Sequence, residues 1–124
     1  MVYLAEHPAL ALVEVLVHLE VDAEDLPSGY QLLEVNVPAD VTVTNLTERD
    51  LDETAPGWRT DATLSRAAGQ AWRAQRASAL LRVPSVIVPH AFNLVLDPRH
   101  TDAARIGVVS STRMEFDARL FKER

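Results

Sequence analysis

The sequence contains no cysteine, which removes three kinds of chemistry at once. Disulfide bonds, zinc–thiolate sites and thiol nucleophiles are all excluded by that absence. No apolar run approaches the roughly 18 residues that a membrane-spanning helix needs, and the first residues lack the basic and apolar regions of a signal peptide. We therefore expect a cytoplasmic protein that has no membrane partner.

Positive charge is also scarce in this chain. Its only lysine is Lys122, and the net charge is −6 at pH 7 with no cluster of basic residues. A nucleic-acid-binding surface depends on such a cluster, so we expect no direct contact with nucleic acid. The 124 residues, of which 48% are hydrophobic, suffice for one core, and we predict a single domain over residues 1–124.

Hydrophobic periodicity and turn residues predict two helices, over residues 8–20 and 61–76. The inner stripe of the second helix is predicted to be Ala67, Ala68, Ala71 and Trp72. Strands are predicted over residues 2–5, 30–37, 41–43, 79–83, 86–88, 92–96 and 106–121. We expect residues 30–37 and 41–43 to pair antiparallel, and residues 45–60 to be irregular. This order predicts an α+β fold with a mainly antiparallel sheet and two main helices.

Glu14 stands out because it lies among apolar residues in the first predicted helix. A helix that is apolar all round is normally buried, and a carboxylate inside it is costly unless it is paired or used. One interpretation is an ion pair with an arginine. The other is a functional carboxylate that orients a sugar hydroxyl or stabilises a developing cation, as glycosidic bond cleavage requires.

Two histidines raise an alternative for the same carboxylate. Glu14 and His18 lie within roughly 40° of each other around the helix axis, and His7 falls on the same line if the helix begins early. A metal-dependent hydrolase that uses Glu14 and His18 is therefore one hypothesis, although the His-Glu-x-x-His spacing is absent. The other interpretation of His18 is an imidazole favoured by the negative end of the helix.

Tyr3 and Ser85 are the remaining candidate site residues. Tyr3 lies on the strand that leads into the first helix, where its ring is either a core aromatic or a stacking surface for a planar ligand. Ser85 follows Pro84, which restricts Val83 to an extended conformation. Because the Gly-x-Ser-x-Gly motif is absent, a ligand-binding hydroxyl is a better functional interpretation than a nucleophile. The other is a strand serine bonded to the backbone.

Five blocks follow one another along the chain: Tyr3-Leu-Ala, Pro8-Ala-Leu-Ala-Leu-Val-Glu14, Val83-Pro-Ser85-Val-Ile-Val-Pro89, Asn93-Leu-Val-Leu-Asp97-Pro98 and Phe116-Asp-Ala-Arg119-Leu. Together they resemble the RES domain, a family named for an arginine, a glutamate and a serine. Its characterised members are toxins of bacterial toxin–antitoxin pairs that destroy NAD⁺. The resemblance implies a fold similar to that of ADP-ribosyltransferase toxins.

The resemblance also implies roles for individual residues. Tyr3 would contact or stack on the nicotinamide–ribose side of NAD⁺, and Glu14 would hold the ribose hydroxyls or the oxocarbenium charge. Ser85 would hydrogen-bond the same region, whereas Asn93 and Arg119 are expected to be structural. NAD⁺ is then a substrate rather than a resident cofactor, and no metal is expected.

The same resemblance implies cleavage of the nicotinamide–ribose bond, with inorganic phosphate or water as the acceptor. The implied partner is an Xre-type antitoxin. The family's arginine precedes the tyrosine strand, whereas this sequence begins two residues before Tyr3. We therefore expect an N-terminally short domain, and the alternative function is that of a non-catalytic relative that only binds its antitoxin.

Overall fold

The computed structural model describes residues 1–19 and 27–121. Its helices are α1 (Pro8–Leu19), α2 (Glu48–Thr54) and α3 (Ala62–Gln75). Its strands are β1 (Val2–Ala5), β2 (Tyr30–Asn36), β3 (Val43–Asn45), β4 (Leu80–Pro84), β5 (Phe92–Leu96) and β6 (Gly107–Met114). Two 3₁₀ turns occur at Thr101–Arg105 and Ala118–Phe121.

The strands form two sheets. One has four strands in the order β1-β5-β4-β3, and the other consists of β2 and β6. Every pair is antiparallel except β3 with β4, which is parallel. The predicted α+β class with mainly antiparallel pairing is therefore confirmed, although α2 adds a third helix to the two that were predicted.

Helix α1 begins where Pro8 predicts it, because the missing N–H of proline costs nothing in a first turn. The His7 Nδ1 accepts a hydrogen bond of 3.0 Å from the backbone N–H of Ala9 and so satisfies one of the free donors at this end. Leu10 is the buried residue of this helix, whereas Val15 and Val17 are exposed. The helix is thus half covered rather than enclosed. Its predicted last residue, Glu20, lies outside the described residues.

Helix α2 occupies part of the segment predicted to be irregular, and that prediction is wrong. Thr47 and Asp50 form a capping box: the Thr47 Oγ1 accepts from the Asp50 N–H, and the Asp50 carboxylate accepts from the Thr47 N–H. This reciprocal pair satisfies two free donors of the first turn. The Thr-x-x-Asp spacing is readable in the sequence and was the signal for this helix.

The core consists of two neighbouring clusters. One contains Leu51, Ala55 and Trp58, and the other contains Trp72, Leu81 and Val95. Leu46 packs against both and joins them.

Helix α3 faces this core through a different stripe from the predicted one. Leu64 and Ala68 pack against the first cluster, and Trp72 belongs to the second. Ala67 and Ala71 are exposed, so their predicted inner position is wrong. Ala68 and Trp72 were predicted correctly, and the stripe that contains them runs through residues four apart, which lie on one face of a helix.

The turn after β2 does not make the predicted hairpin. The Val41 N–H donates to the Pro38 carbonyl oxygen over 3.0 Å, which closes a turn, but β3 then pairs parallel with β4. Strand β2 pairs with β6 instead. The local turn chemistry was read correctly, whereas the choice of strand partner depends on contacts far away in the sequence.

Two further strand predictions need correction. Residues 86–88 form a turn after β4 rather than a strand, and β6 ends at Met114 rather than continuing to residue 121. Strands β1 and β5 have the predicted bounds. Within the described part of the chain, no helix is long and apolar enough to cross a bilayer.

Candidate functional site

The carboxylate of Glu14 is held by two donors on the four-stranded sheet. Its Oε1 accepts from the Ser85 Oγ over 2.9 Å and from the Asn93 Nδ2 over 2.8 Å. Its side chain is 21% exposed, so one side of the group faces solvent. Both donors bind the same oxygen, which orients the carboxylate and leaves Oε2 as the oxygen available to a ligand.

Ser85 is completely buried and its hydroxyl group is fully used. The Oγ donates its one proton to Glu14 and accepts from the backbone N–H groups of Ile87 and Val88, over 3.1 Å and 3.0 Å. A hydroxyl has one donor and two acceptor positions. Ser85 therefore positions Glu14 and closes the turn after β4. Its predicted hydrogen bond to a ligand stays a prediction.

Asn93 completes this group from strand β5, opposite Ala5 of β1 and Val83 of β4. Its amide nitrogen binds Glu14, while its Oδ1 is buried and accepts no hydrogen bond from the described residues. A buried acceptor without a donor is rare in native proteins and often marks a functional position. We expected Asn93 to be structural; its contact with Glu14 makes it part of the candidate site.

Tyr3 lies beside this group but does not bond to it. It pairs with Val95 of β5, so its side chain is on the same sheet face as Asn93, two residues away along that strand. The residue is 69% exposed, and within residues 1–19 and 27–121 no hydrogen bond joins it to Glu14, Ser85 or Asn93. Tyr3 thus presents a free aromatic surface at the edge of the site.

Two arginines flank the site without pairing with Glu14. Arg59 stacks on Trp58 with 4.4 Å between the guanidinium carbon and the ring centre, pairs with Glu48 at 2.7 Å, and lies 3.5 Å from the Ser85 carbonyl oxygen. No arginine of the described chain forms a salt bridge with Glu14. The carboxylate is therefore held by the neutral donors Ser85 and Asn93 and not by an arginine.

Arg82, the second of these arginines, is held away from the carboxylate by its own partners. It lies over the ring of Phe92 at 3.6 Å and 3.5 Å from the Glu6 carboxylate. That carboxylate in turn accepts from the Phe92 N–H over 3.1 Å. These contacts tie β1 to the start of β5 and so stabilise the strand that carries Asn93.

The predicted metal ligands do not assemble. His18 is one turn from Glu14 and its Nε2 is 3.8 Å from Oε2, but its side chain is 79% exposed. The Nδ1 of His7 already accepts a hydrogen bond from the Ala9 N–H at the start of α1. Across the described ranges, no group of three or more histidine, aspartate or glutamate side chains is arranged to hold a metal. The metal-dependent alternative has no ligand set there to support it.

Known proteins resemble this chain over nearly its whole length. The profile of the RES domain family matches residues 1–117. A protein named Toxin Res from Pseudomonas putida is 38% identical over 122 residues, which cover 97% of this chain and 79% of that protein. The Prs ADP-ribosylating toxin of a Sphingobium species is 34% identical over 125 residues, covering 98% of this chain and 75% of that protein.

A further relative, named Toxin Res, comes from Photorhabdus laumondii. It is 32% identical over 124 residues, which cover 98% of this chain and 76% of that protein. The profile match extends over nearly the whole chain, and these relatives are matched over at least three quarters of their own length. The resemblance predicted from the five sequence blocks is thereby confirmed: this chain belongs to the RES domain family.

Proposed function

We propose that this protein is a toxin that cleaves the bond between nicotinamide and ribose in NAD⁺. The observation that carries the proposal is the carboxylate of Glu14, one oxygen of which is held by the buried Ser85 and the half-buried Asn93 while the other stays available. Family membership supports it, as do relatives named toxins, one of them an ADP-ribosylating toxin.

Cleavage of the nicotinamide–ribose bond depends more on a fixed negative charge than on a general acid. Loss of neutral nicotinamide leaves an oxocarbenium-like sugar, whose charge a carboxylate stabilises. An orientation fixed before the reaction avoids reorganisation at the moment when charge develops. In this proposal the Glu14 Oε2 binds the ribose hydroxyls or faces the developing cation, and Ser85 and Asn93 keep it there.

The exposure of Tyr3 supports a proposed stacking role for its ring. Its exposed ring lies on the same sheet face as Asn93, and an aromatic face provides a large apolar contact at low entropic cost. We propose that it covers the nicotinamide–ribose end of NAD⁺. NAD⁺ acts here as a substrate, so the reaction needs no resident cofactor, and either inorganic phosphate or water accepts the ADP-ribosyl group.

The proposed partner is an antitoxin of the Xre type that covers the Glu14 site in the cytoplasm. An unregulated NAD⁺-cleaving enzyme would harm the cell that makes it, so its activity requires a tightly bound inhibitor. The alternative function is a chain that binds the antitoxin without turning over NAD⁺. The enzymatic assay separates the two.

The decisive experiment measures NAD⁺ consumption by the purified wild-type chain and by Glu14→Gln. Glutamine keeps the size of the side chain and removes its charge, so we expect the rate to fall by about a hundredfold or more. The matched control is Glu34→Gln, which changes an exposed carboxylate on β2 and should leave the rate unchanged. Circular dichroism and thermal melting would establish that both variants are folded.

Phosphorus NMR of the reaction identifies the acceptor. ADP-ribose as product means water, whereas ADP-ribose-1″-phosphate that appears only with added phosphate means phosphorolysis. A folded wild-type chain that leaves NAD⁺ intact would overturn the catalytic proposal. Co-purification with the antitoxin would then support the binding-only alternative.

A further inference from the structure

We propose that the protein has a second ligand site, for a small phosphate-bearing anion, at the opposite end of β5 from Asn93. A cleft of about 310 Å³ lies there between the end of α3 and the loop that follows β5. Its charged walls are Arg73 and Arg76 from the helix side and Asp97, Arg99 and His100 from the loop. Nothing in this inference depends on the proposed NAD⁺ chemistry.

The charge of the cleft is opposite to that of the whole protein. Three arginines and one aspartate line the cleft, while the complete chain carries a net charge of −6. None of the salt bridges found among residues 1–19 and 27–121 involves Arg76 or Arg99. Two cations are thus available at one place on an acidic protein, and such a place attracts anions.

Hydrogen bonds organise the walls of the cleft before any ligand arrives. The side chain of Asp97 is 6% exposed, and its carboxylate accepts from the Arg99 N–H over 3.0 Å and lies 3.9 Å from the Arg73 Nε. Asp97 therefore ties the backbone of the loop at Arg99 to the side chain of Arg73 on the helix.

His100 connects the loop to the helix. Its Nδ1 accepts from the Asp102 N–H over 3.1 Å, so its Nε2 donates, over 3.2 Å, to the carbonyl oxygen of Arg76. Arg76 itself ends α3 in the left-handed region, with φ of 53°. These contacts fix the backbone from which Arg76 and Arg99 extend.

Phosphate is the ligand class that fits this set of donors. A guanidinium presents parallel N–H groups that match two phosphate oxygens, and this bidentate contact is stronger and more specific than a single charge. The end of a helix alone explains a nearby cation, because its carbonyl groups carry partial negative charge. It does not explain Arg99, which belongs to the loop after β5.

The cleft is separate from the Glu14 site. Asn93 and Asp97 are four residues apart on an extended strand and its continuation, which corresponds to roughly 13 Å. Both point to the same sheet face, with Val95 between them packed under Trp72. The buried indole separates the two positions, so an anion in the cleft does not touch Glu14.

The test uses inorganic pyrophosphate as the probe, titrated into the isotopically labelled chain at constant ionic strength. We expect saturable NMR shifts centred on residues 73–76 and 97–100. The double variant Arg76→Gln/Arg99→Gln should weaken binding at least tenfold. The control double variant Arg49→Gln/Arg66→Gln removes the same charge from exposed positions elsewhere and should bind as the wild type does.

Three results would overturn the proposal: no saturable binding, equal weakening in both double variants, or shifts centred on Glu14 and Ser85. Equal weakening would mean that only the total charge matters. Melting curves report whether the variants fold. If the double variant does not, Arg99→Gln alone, in an exposed loop position, is expected to weaken binding severalfold, and unchanged affinity would contradict the proposal.

Discussion

The two sheets of this protein differ in how far they bury their leucine and valine side chains. In the four-stranded sheet, Leu80 and Leu81 of β4 are 0% and 1% exposed. In the two-stranded sheet, every residue of β6 is exposed, and Val108 and Val109 are 57% and 61% exposed. Strands β2 and β6 have their main packing contact with each other among the described residues.

This difference in burial indicates which sheet can fix the positions of site side chains. A two-stranded ladder has little stability of its own, whereas a sheet of four strands that packs against a helix has a core. Both donors to Glu14 come from the larger sheet: Ser85 directly follows β4, and Asn93 lies on β5. The candidate site is built on the better-packed sheet, and accurate placement of a carboxylate requires such support.

The largest expected difference between the sheets is in stability. Leu81→Ala should lower the free energy of unfolding by about 2–5 kcal/mol, because it leaves a cavity beside Trp72 and Val95. Val109→Ala on β6 should change it by less than about 0.5 kcal/mol, since that side chain is already in water. Urea unfolding of both variants measures the comparison. A cost on β6 as large as that on β4 would show that the small sheet is covered in solution.

A smaller difference in stability is expected when the hydroxyl groups of two serines, Ser85 and Ser111, are removed. Ser85→Ala removes a hydrogen-bond donor from Glu14 and leaves the N–H groups of Ile87 and Val88 without their acceptor. Unpaired buried groups of this kind lower the free energy of unfolding by about 1–3 kcal/mol. Ser111→Ala on β6 removes one exposed bond to Gln31 and should cost less than about 0.5 kcal/mol. Urea unfolding is again the measurement. Equal costs would mean that burial does not distinguish the two positions.

The smallest expected effect is a loss of stability at low pH. Arg119 hydrogen-bonds to Asp117, beyond the end of β6, and lowers the pKa of that carboxyl from its ordinary 3.8 to about 2. A pKa that is lower in the folded state stabilises folding above pH 3.8, and this contribution is lost as the pH falls through about 2.

An NMR titration of the Asp117 carboxyl carbon tests this, with an expected midpoint near 2. Arg119→Gln should raise the midpoint towards 3.8, with only a slight loss of stability because the pair is exposed. A midpoint that does not respond to Arg119→Gln would contradict the assignment of the cause.

Elements whose signals are local were predictable from the sequence. Strands β1 and β5 and the start of α1 follow from alternation, flanking turn residues and Pro8. Helix α2 was also readable, from Thr47 and Asp50, but its acidic composition suggested a loop. Residues 86–88 have strong strand propensity, yet they turn, because the Ser85 hydroxyl binds two of their N–H groups.

The candidate site was predictable in part. Glu14 could be found because a lone carboxylate in an apolar helix demands a partner, and Ser85 followed from the family resemblance. Asn93 was given a structural role. The missed signal was its spacing: it shares a strand face with Val95, a core position, and a polar side chain on such a face needs a hydrogen-bond partner.

The sequence by itself determined the acidic charge, the positions of β1, β5 and the start of α1, the family blocks and the identity of the lone carboxylate. Those properties depend on residue type and short-range spacing. Only the tertiary structure decided that Ser85 and Asn93, which are 71 and 79 residues from Glu14, bind the same oxygen of it. It also decided that Arg76 and Arg99 share one cleft. Both arrangements depend on how a helix packs against the sheet and on which strands pair, and these are contacts between distant segments that no local pattern describes.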